Sequence, residues 1–323
     1  MISYFYKLTP IFVAVSMAVG YSESENNDKM SGRNDSGSSI SSQDFFSDTL
    51  FVAGVTPRLI SDQFKFTEGP AANKKGDVYF TDQPTDIIWK YSTAEELTIF
   101  MEKAGRANGL YFDNKGNLIS CSDENNELWC ISPKKKVTIL VKDYKGQRLN
   151  GPNDVWVHPN GDMYFTDPHY DRPWWPEGLS FIQKQNVYFL PKGKSQPQIA
   201  DSNLVQPNGI IGSADGKLLY VADIRDGKTY RYDIANDGKL LNRQLFTAKG
   251  SDGMTIDSKG NIYLTGDGVT VFNPAGQQIA HIKVPAKWTA NVCFGGIANN
   301  QLFITASEGF YVMPMIVTGA RRK

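Results

Sequence analysis

A polar residue stands eight positions before a small turn at five places along this chain, and a sixth, looser copy precedes Asn299-Asn300. Successive turns are 40, 45, 55, 44 and about 40 residues apart, and each opens a strand-like apolar run. Repeats of this length that are built from several short strands are typical of β-propellers. Six copies therefore predict an all-β fold, a six-bladed β-propeller with four-stranded antiparallel blades. The recurrent residues are Glu68, Asn108, Asn153, Asn208, Asp252 and Asn291.

The repeat around Asn208 contains all four expected strands of a blade. Pro207 to Gly212 is the predicted inner strand, and glycine-containing turns separate it from three further runs. These runs are Lys217 to Ala222, Lys228 to Ile234 and Leu240 to Thr247. Four strands in one repeat match the number in a propeller blade.

Closure of the ring is expected to involve the strand-like segment Thr49 to Ile60, which is placed to complete the last blade by pairing with Glu308 to Met313. Sustained helical periodicity is not found after Phe45. The best short helical candidate is Thr93 to Lys103.

The eight-residue offset has a geometric meaning. An inner strand of about five residues followed by a turn puts the recurrent residue at the entry of the innermost strand, on the face opposite the turn. Six such side chains are expected to surround one mouth on the propeller axis. The second strand of a blade ends on the same face, which adds the segments that contain Asp82, Asp167, Asp223 and Asp267.

A ring of carboxylate and amide oxygens suits a hard divalent cation such as Ca²⁺, Mg²⁺ or Mn²⁺. Taken singly, Asn or Asp before Gly is common turn chemistry. Because the polar residue occupies the same position in all six repeats, a common site is favoured instead. Its functional residues are expected to be Glu68, Asn153, Asn208 and Asp252. For Asn108 and Asn291 the sequence leaves three roles open: supporting the site, facing the substrate, or forming a turn.

Composition argues against two classes of partner. The chain has 34 basic and 34 acidic residues, so its formal net charge is zero and no basic excess indicates nucleic-acid binding. The apolar stretch Leu8 to Val19 is short and contains Pro10, which argues against a stable membrane span. The sequence does not indicate the oligomeric state.

The three cysteines are too few for a disulfide framework. Cys121 and Cys130 flank a predicted hairpin loop, and Cys293 lies far away in the sequence. A disulfide between Cys121 and Cys130 and three free thiols are both compatible with this spacing.

The N-terminal residues have the features of an export signal. Lys7 supplies a positive charge, an apolar stretch follows it, and Ala18-Val19-Gly20 offers small residues for cleavage. Residues 21–44 are rich in Ser, Asn, Asp and Gly, as flexible linkers are. We expect a signal peptide over residues 1–20, a linker over residues 21–44 and the propeller over residues 45–323. The protein is then exported, either periplasmic or secreted; an uncleaved anchor is the alternative.

Several motifs together resemble the SMP-30/gluconolactonase/luciferin-regenerating-enzyme-like family, from about Phe45 to Val317. The final repeat contributes the segments Ala290 to Gly296 and Leu302 to Ala306. The other motifs are Phe66-Thr67-Glu68-Gly69-Pro70, Gly151-Pro152-Asn153-Asp154-Val155, Tyr164-Phe165-Thr166-Asp167-Pro168, Pro207-Asn208-Gly209-Ile210 and Ser251-Asp252-Gly253-Met254.

The resemblance implies a six-bladed propeller that binds one divalent cation and hydrolyses a lactone. Glu68, Asn208 and Asp252 match the family's metal ligands, and Asn153 matches a fourth ligand or a substrate contact. Asp252 also matches the proposed catalytic acid/base. Ca²⁺ is the expected ion, with Mg²⁺, Mn²⁺ and Zn²⁺ as alternatives. A cation polarises a lactone carbonyl, and Asp252 is placed to accept a proton from the attacking water; activation of the water by the cation itself is left open.

The long segment His169 to Gln185 follows the second strand of the third repeat and is expected to determine specificity. His169 differs from the family's pattern there. Trp174, beside Trp175, is a candidate for stacking on a sugar ring, while Arg172 and Arg225 are candidates for contacting a carboxylate or phosphate. The predicted substrate-binding residues are Asn108, Asn153, His169, Arg225 and Trp174.

Three functions remain in competition at this stage. The first is a metal-dependent lactonase that hydrolyses a sugar lactone, and its expected partner is a small-molecule lactone or sugar-acid substrate. The second is a non-catalytic ligand-binding propeller with a structural ion, because propellers host many functions. The third is a related propeller esterase or phosphoesterase. A covalent serine mechanism is disfavoured, because no Gly-x-Ser-x-Gly motif is present and the chain has only three histidines.

Overall fold

Short apolar runs bounded by Gly, Asn and Asp turns form strands in every repeat. The computed structural model describes residues 49–176, 178 and 182–320. All of these lie within one compact unit, Ile40–Lys323. They form 24 strands and a single turn of 3-10 helix, Gln83–Thr85. The predicted signal peptide and linker, residues 1–20 and 21–44, lie outside the described residues.

The strands pair into six antiparallel sheets of four strands, the blades. The strands are β1 (Arg58–Ser61), β2 (Thr67–Ala72), β3 (Val78–Asp82), β4 (Ile87–Tyr91), β5 (Leu97–Glu102), β6 (Ala107–Phe112), β7 (Leu118–Ser122), β8 (Glu127–Ile131), β9 (Val137–Val141), β10 (Val155–Val157), β11 (Met163–Asp167), β12 (Asn186–Leu190), β13 (Gln198–Asp201), β14 (Pro207–Gly212), β15 (Leu218–Asp223), β16 (Lys228–Ile234), β17 (Leu240–Thr247), β18 (Met254–Ile256), β19 (Ile262–Gly266), β20 (Gly268–Phe272), β21 (Gln278–Ile282), β22 (Thr289–Gly295), β23 (Gln301–Ala306) and β24 (Gly309–Pro314).

The first strand of each blade lies innermost. Blades 1 to 5 are β2–β5, β6–β9, β10–β13, β14–β17 and β18–β21, and blade 6 is β22–β24 with β1. The inner strands β2, β6, β10, β14, β18 and β22 contact one another in sequence, and β22 contacts β2. This closed ring confirms the predicted six-bladed propeller.

An N-terminal strand completes the last blade. β1 pairs antiparallel with β24, and Leu59 lies opposite Tyr311. Leu50, just before it, is buried in the core, and its carbonyl oxygen accepts a hydrogen bond of 2.7 Å from the Ile316 amide. The sequence placed this closing segment correctly.

The space between blades is filled largely by aromatic side chains. Phe80 of blade 1 stacks on Phe310 of blade 6, with ring centroids 4.1 Å apart. Buried Tyr164 of blade 3 donates a hydrogen bond of 2.8 Å to the Gly238 carbonyl of blade 4. Because large rings bury most of their surface here, each blade is held by its neighbours rather than by itself.

The weak helical candidate Thr93 to Lys103 is wrong. Its first residues form a turn in which Glu95 has φ of 62°, and the rest is β5, the outer strand of blade 1. An outer strand exposes much of both faces, so the inside–outside alternation that marks most strands is weak there.

The disulfide alternative for Cys121 and Cys130 is also wrong. Both residues lie on paired strands, but Cys121 is opposite Leu128 and Cys130 is opposite Ile119. The two cysteines are therefore out of register, and both are free, as is buried Cys293. A separate finding is that no helix in the described part of the chain is long and apolar enough to span a membrane.

Candidate active site

The recurrent polar residues lie where the inner strands begin, as the sequence predicted. Glu68, Asn108 and Asn208 are each the second residue of their strand. The pairing of these strands shifts register just after each of them. Such a bulge locally disrupts the ladder and redirects a side chain, which here turns the polar group towards the axis.

A glycine follows four of the six recurrent residues because the next blade approaches closely. A Cβ atom on Gly69, whose φ is +44°, would meet the carbonyl of Asn108. A Cβ atom on Gly253 would meet the side chain of Asn291. Any larger residue at these points would push the inner strands apart and widen the mouth. The same contact is made after Asn108 and Asn208 by Gly109 and Gly209.

The side chains meet across the mouth. Asn208 Nδ2 donates 2.8 Å to Asp252 Oδ1 and 2.9 Å to the Tyr170 hydroxyl. These two bonds orient the amide so that its Oδ1 is left as the acceptor that faces the mouth. Glu68 Oε2 accepts the Gly69 amide at 2.8 Å and lies in the field of Asp252. The blades thus bring two carboxylates and oriented amides together.

Asn153 and Asn108 are buried members of the same ring. The Asn153 amide donates 2.9 Å to the Thr166 carbonyl, and its own carbonyl accepts Gly109 N–H at 2.7 Å. The Asn108 carbonyl accepts the Thr81 hydroxyl at 3.1 Å. These hydrogen bonds fix the backbone from which the side chains of Asn153 and Asn108 extend.

Burial raises the pKa values of the carboxyl groups in the ring. Burial, followed by repulsion from Asp252, raises the pKa of Glu68 well above its usual range. Burial raises the pKa of Asp252 to about 6, against hydrogen bonds from Trp288 and Asn208. Burial raises the pKa of Asp154 to about 7. Because Glu68, Asp252 and Asp154 repel one another, a cation close to any of them would be stabilised.

The donor set fits a hard divalent cation. Glu68, Asn153 and Asn208 are buried, Asp252 is half-buried, and all four offer oxygen. Among the described residues no group of three or more His, Cys, Asp or Glu side chains is arranged to hold a metal ion. The set is instead two carboxylates and two amides, which suits Ca²⁺ and Mg²⁺ better than metals that prefer nitrogen or sulfur.

Sequence reasoning missed two residues at this mouth, Trp288 and Asp154. Trp288 Nε1 donates 2.6 Å to Asp252 Oδ2, from the segment before β22. Asp154 stands where four other repeats have glycine, and its Oδ2 lies 3.5 Å from Asn291 Nδ2. Only Asp154 left a signal in the sequence, as an acidic residue at a position that is glycine in four repeats. Tyr170, which reaches Asn208 from the long loop after β11, belongs to a segment that the sequence placed at the mouth.

The predicted specificity residues differ in their surroundings. The Trp174 ring packs 4.6 Å from the Arg106 guanidinium and 5.5 Å from that of Arg172. The ring of His169 lies 3.2 Å from Asp171 at the surface rather than on the polar ring. Arg225 is exposed in the turn between β15 and β16 and forms no ion pair with any acid in the described part of the chain.

The aspartates at the ends of the second strands anchor loops. Asp82 Oδ1 accepts the amides of Lys65 and Phe66, both at 3.1 Å. Asp167 likewise accepts those of Asn150 and Gly151. Each carboxylate therefore fixes the segment that leads into its own inner strand. The sequence predicted their face correctly, and their contacts are structural.

A cavity of about 560 Å³ lies among the inner strands. It is lined by both apolar and polar residues, with Leu110, Trp156 and Ile211 among the apolar ones. Asp154 and Asn291 also line it, so the cavity reaches the segments that carry the recurrent polar residues.

Fold and site together define a class, the six-bladed propellers with a ring of buried oxygen donors on the axis. The chain belongs to the SMP-30/gluconolactonase/LRE-like family, whose model matches residues 66–308. This confirms the resemblance seen in the motifs.

Relatives of known name span most of the chain. A gluconolactonase of Zymomonas mobilis subsp. mobilis is 26% identical over 291 residues, which cover 81% of this chain and 82% of the relative. The structure of a gluconolactonase from Xanthomonas campestris has a TM-score of 0.77 and 26% identity, covering 83% of this chain and 92% of its own. Diisopropyl-fluorophosphatase of Loligo vulgaris is 24% identical over 279 residues, covering 77% and 88%.

Proposed function

We propose that the protein is a divalent-metal-dependent lactonase that hydrolyses a sugar lactone. The observation that carries the proposal is the contact between Asp252 and Asn208 at a mouth that also holds buried Glu68. Membership of the lactonase family supports the reaction class. Relatives named gluconolactonase support a sugar lactone as substrate.

Glu68, Asn153, Asn208 and Asp252 would hold the cation, with Ca²⁺ as the ion that best fits four hard oxygen donors. A cation held there supplies polarisation of the lactone carbonyl and offsets the charge that develops on its oxygen. Asn208 arrives oriented, because Tyr170 and Asp252 both accept from its Nδ2. That orientation is what a preformed ligand set needs.

Asp252 is the proposed general base. Burial raises its pKa to about 6, against the hydrogen bonds from Trp288 and Asn208. The cation that it would hold favours its ionised form, which is the form that accepts a proton. Water attacks the carbonyl carbon and gives its proton to Asp252. The ring C–O bond then breaks, the alkoxide takes this proton from Asp252, and an open-chain hydroxy acid leaves. Trp288 and Asn208 hold the two carboxylate oxygens throughout.

A phosphoesterase is the second candidate, because diisopropyl-fluorophosphatase is similar over most of the chain. A pH-stat assay with purified protein separates the candidates. Glucono-δ-lactone, a γ-lactone, phenyl acetate and diisopropyl fluorophosphate would be compared at equal concentration. The proposal expects the largest kcat/KM on a sugar lactone. Faster turnover of the phosphorus substrate would favour the second candidate, and turnover of none of the four would favour a binding protein.

We also propose export to the periplasm or the medium, on the sequence of residues 1–20 alone. Mass spectrometry of the mature protein from its native host tests this. An N-terminus near residue 21 is expected, and an intact Met1 in the cytoplasmic fraction would contradict export.

A further inference from the structure

The long loop after β11 holds an arginine in a fixed position beside the mouth. Arg172 Nε lies 2.6 Å from Asp123 Oδ2. Asp123 is itself buried in the turn after β7, and its Oδ2 also accepts Gln83 Nε2 of blade 1 at 3.0 Å. Its carbonyl accepts Trp175 Nε1 at 2.7 Å. Blades 1, 2 and 3 therefore all contribute to the position of one guanidinium.

Aromatic rings complete this support. The Arg172 guanidinium carbon lies 5.2 Å from the Tyr170 ring centre and 5.5 Å from that of Trp174. Arg106 lies 4.6 Å from the same Trp174 ring. Rings at these distances attract guanidinium groups and hold their planes. Trp174 thus packs against two arginines, which makes it a support for them.

Several guanidiniums lie near one buried carboxyl at this edge of the mouth. Those of Arg172, Arg148 and Arg106 all act on the carboxyl of Asp123. Arg148 also interacts with Glu127. Arg172 acts in addition on Asp252 of the polar ring, which places its charge within reach of the mouth.

Arg172 also retains donors. A guanidinium has five N–H groups, and Arg172 approaches Asp123 through Nε as an ion pair without a regular hydrogen bond. Among the described residues its remaining four N–H groups make no hydrogen bond. Tyr170 connects this group to the polar ring, because its hydroxyl accepts from Asn208 Nδ2 at 2.9 Å. Only Tyr170 therefore stands between Arg172 and a ligand bound at the polar ring.

We propose that Arg172, supported by Asp123, Tyr170 and Trp174 and assisted by Arg106, forms an anion subsite beside the polar ring. It selects lactones that carry a tetrahedral oxyanion, a phosphate or a sulfonate, on the side chain remote from the ester. That the bound molecule is a lactone rests on the proposed function, whereas the anion subsite itself does not. A planar fork with paired donors is the group that best recognises such an oxyanion.

Calorimetric titration of the product acids tests the subsite without requiring turnover. The probes are gluconate, 6-phosphogluconate and 6-deoxy-6-sulfogluconate, each added to the wild-type protein in the presence of Ca²⁺. At least one of the anionic probes is expected to bind about 10- to 100-fold more tightly than gluconate, as a charge-assisted pair of hydrogen bonds provides. Which of the two binds more tightly distinguishes phosphate from sulfonate.

Variants then assign the effect. Arg172→Gln is expected to abolish the preference, Arg172→Lys to restore part of it, and Arg231→Gln, on β16, to leave it intact. Thermal melts check folding, and Arg172→Lys serves as the informative variant if Arg172→Gln unfolds. Equal binding of all three acids by the wild type, or an undiminished preference in the Arg172 variants, would overturn the subsite. Tight anion binding with no lactone turnover would retain the subsite and reject the lactonase.

Discussion

Asp252 accepts hydrogen bonds from two distant parts of the chain. Asn208 Nδ2 binds its Oδ1 and Trp288 Nε1 binds its Oδ2, so neither oxygen is left to rotate freely. A carboxylate fixed in this way is preorganised for accepting a proton in one direction. Its role depends on charge, since an amide has the same shape and almost no basicity.

Asp252→Asn is therefore expected to lower kcat/KM for glucono-δ-lactone by about 100-fold or more, the usual range for loss of a general base. A pH-stat assay measures it. Asp237→Asn, in the exposed turn between β16 and β17, is the matched control and should retain wild-type activity. An Asp252→Asn variant with near-normal turnover would remove Asp252 from the reaction.

Individual residues differ in how far the sequence reveals them. Asn208 and Asp252 were predictable because each stands eight positions before a turn, a spacing that is visible within a single repeat. Trp288 was not, since it reaches Asp252 from a segment 36 residues away along the chain. The segment with Tyr170 was expected at the mouth, but its contact with Asn208, 38 residues away, was not. The sequence favoured Arg225 over Arg172 as a substrate-binding residue, whereas the structure fixes Arg172 against Asp123 and leaves Arg225 exposed.

At the scale of elements, aspartates at strand ends determine how each inner strand begins. Asp223, the last residue of β15, accepts the amides of Val205 at 2.7 Å and Gln206 at 2.9 Å. These donors would otherwise lack partners just before β14. The position of Asn208 at the mouth depends on this anchored segment.

Asp223→Ala is expected to reduce the free energy of unfolding by about 2–4 kcal/mol, because two amides lose their acceptor in a largely buried place. Urea titration measures the change. Asp226→Ala is the control: it removes an exposed ion pair with Lys228 and should cost less than about 1 kcal/mol. Equal effects of the two variants would contradict the anchoring role.

The elements themselves were largely readable in the sequence. The four strands around Asn208 follow from glycine turns and apolar runs, because hairpins are local. β5 was misread because its exposed faces weaken the alternation. The offset between Cys121 and Cys130 was unreadable, since it depends on the register of β7 against β8 and one shift of register changes every opposed pair.

At the scale of the molecule, the ring closes through β1. That strand joins the N-terminal end of the propeller to β24, so two ends of the chain share one blade. A propeller without this pairing leaves an open edge in blade 6. The mouth is affected too, because β22 of that blade supplies Asn291 and lies beside β2, which supplies Glu68.

Removing the closing strand is expected to lower Tm markedly. A chain that starts at Asp62 would be compared by calorimetry with one that starts at Thr49, which retains β1 and buried Leu50. Loss of these contacts should reduce Tm by about 5 °C or more. The same Tm for the two chains would show that closure does not depend on β1.

The most direct measurement is lactone turnover before and after removal of divalent metal. Purified wild-type protein would be assayed on glucono-δ-lactone by pH-stat, dialysed against EDTA, freed of chelator, and assayed again with and without added Ca²⁺. We predict that turnover falls by at least about tenfold on metal removal and returns with Ca²⁺, because the site relies on a cation to polarise the carbonyl. Turnover that is undiminished after verified metal removal would contradict a metal-dependent lactonase on this ring.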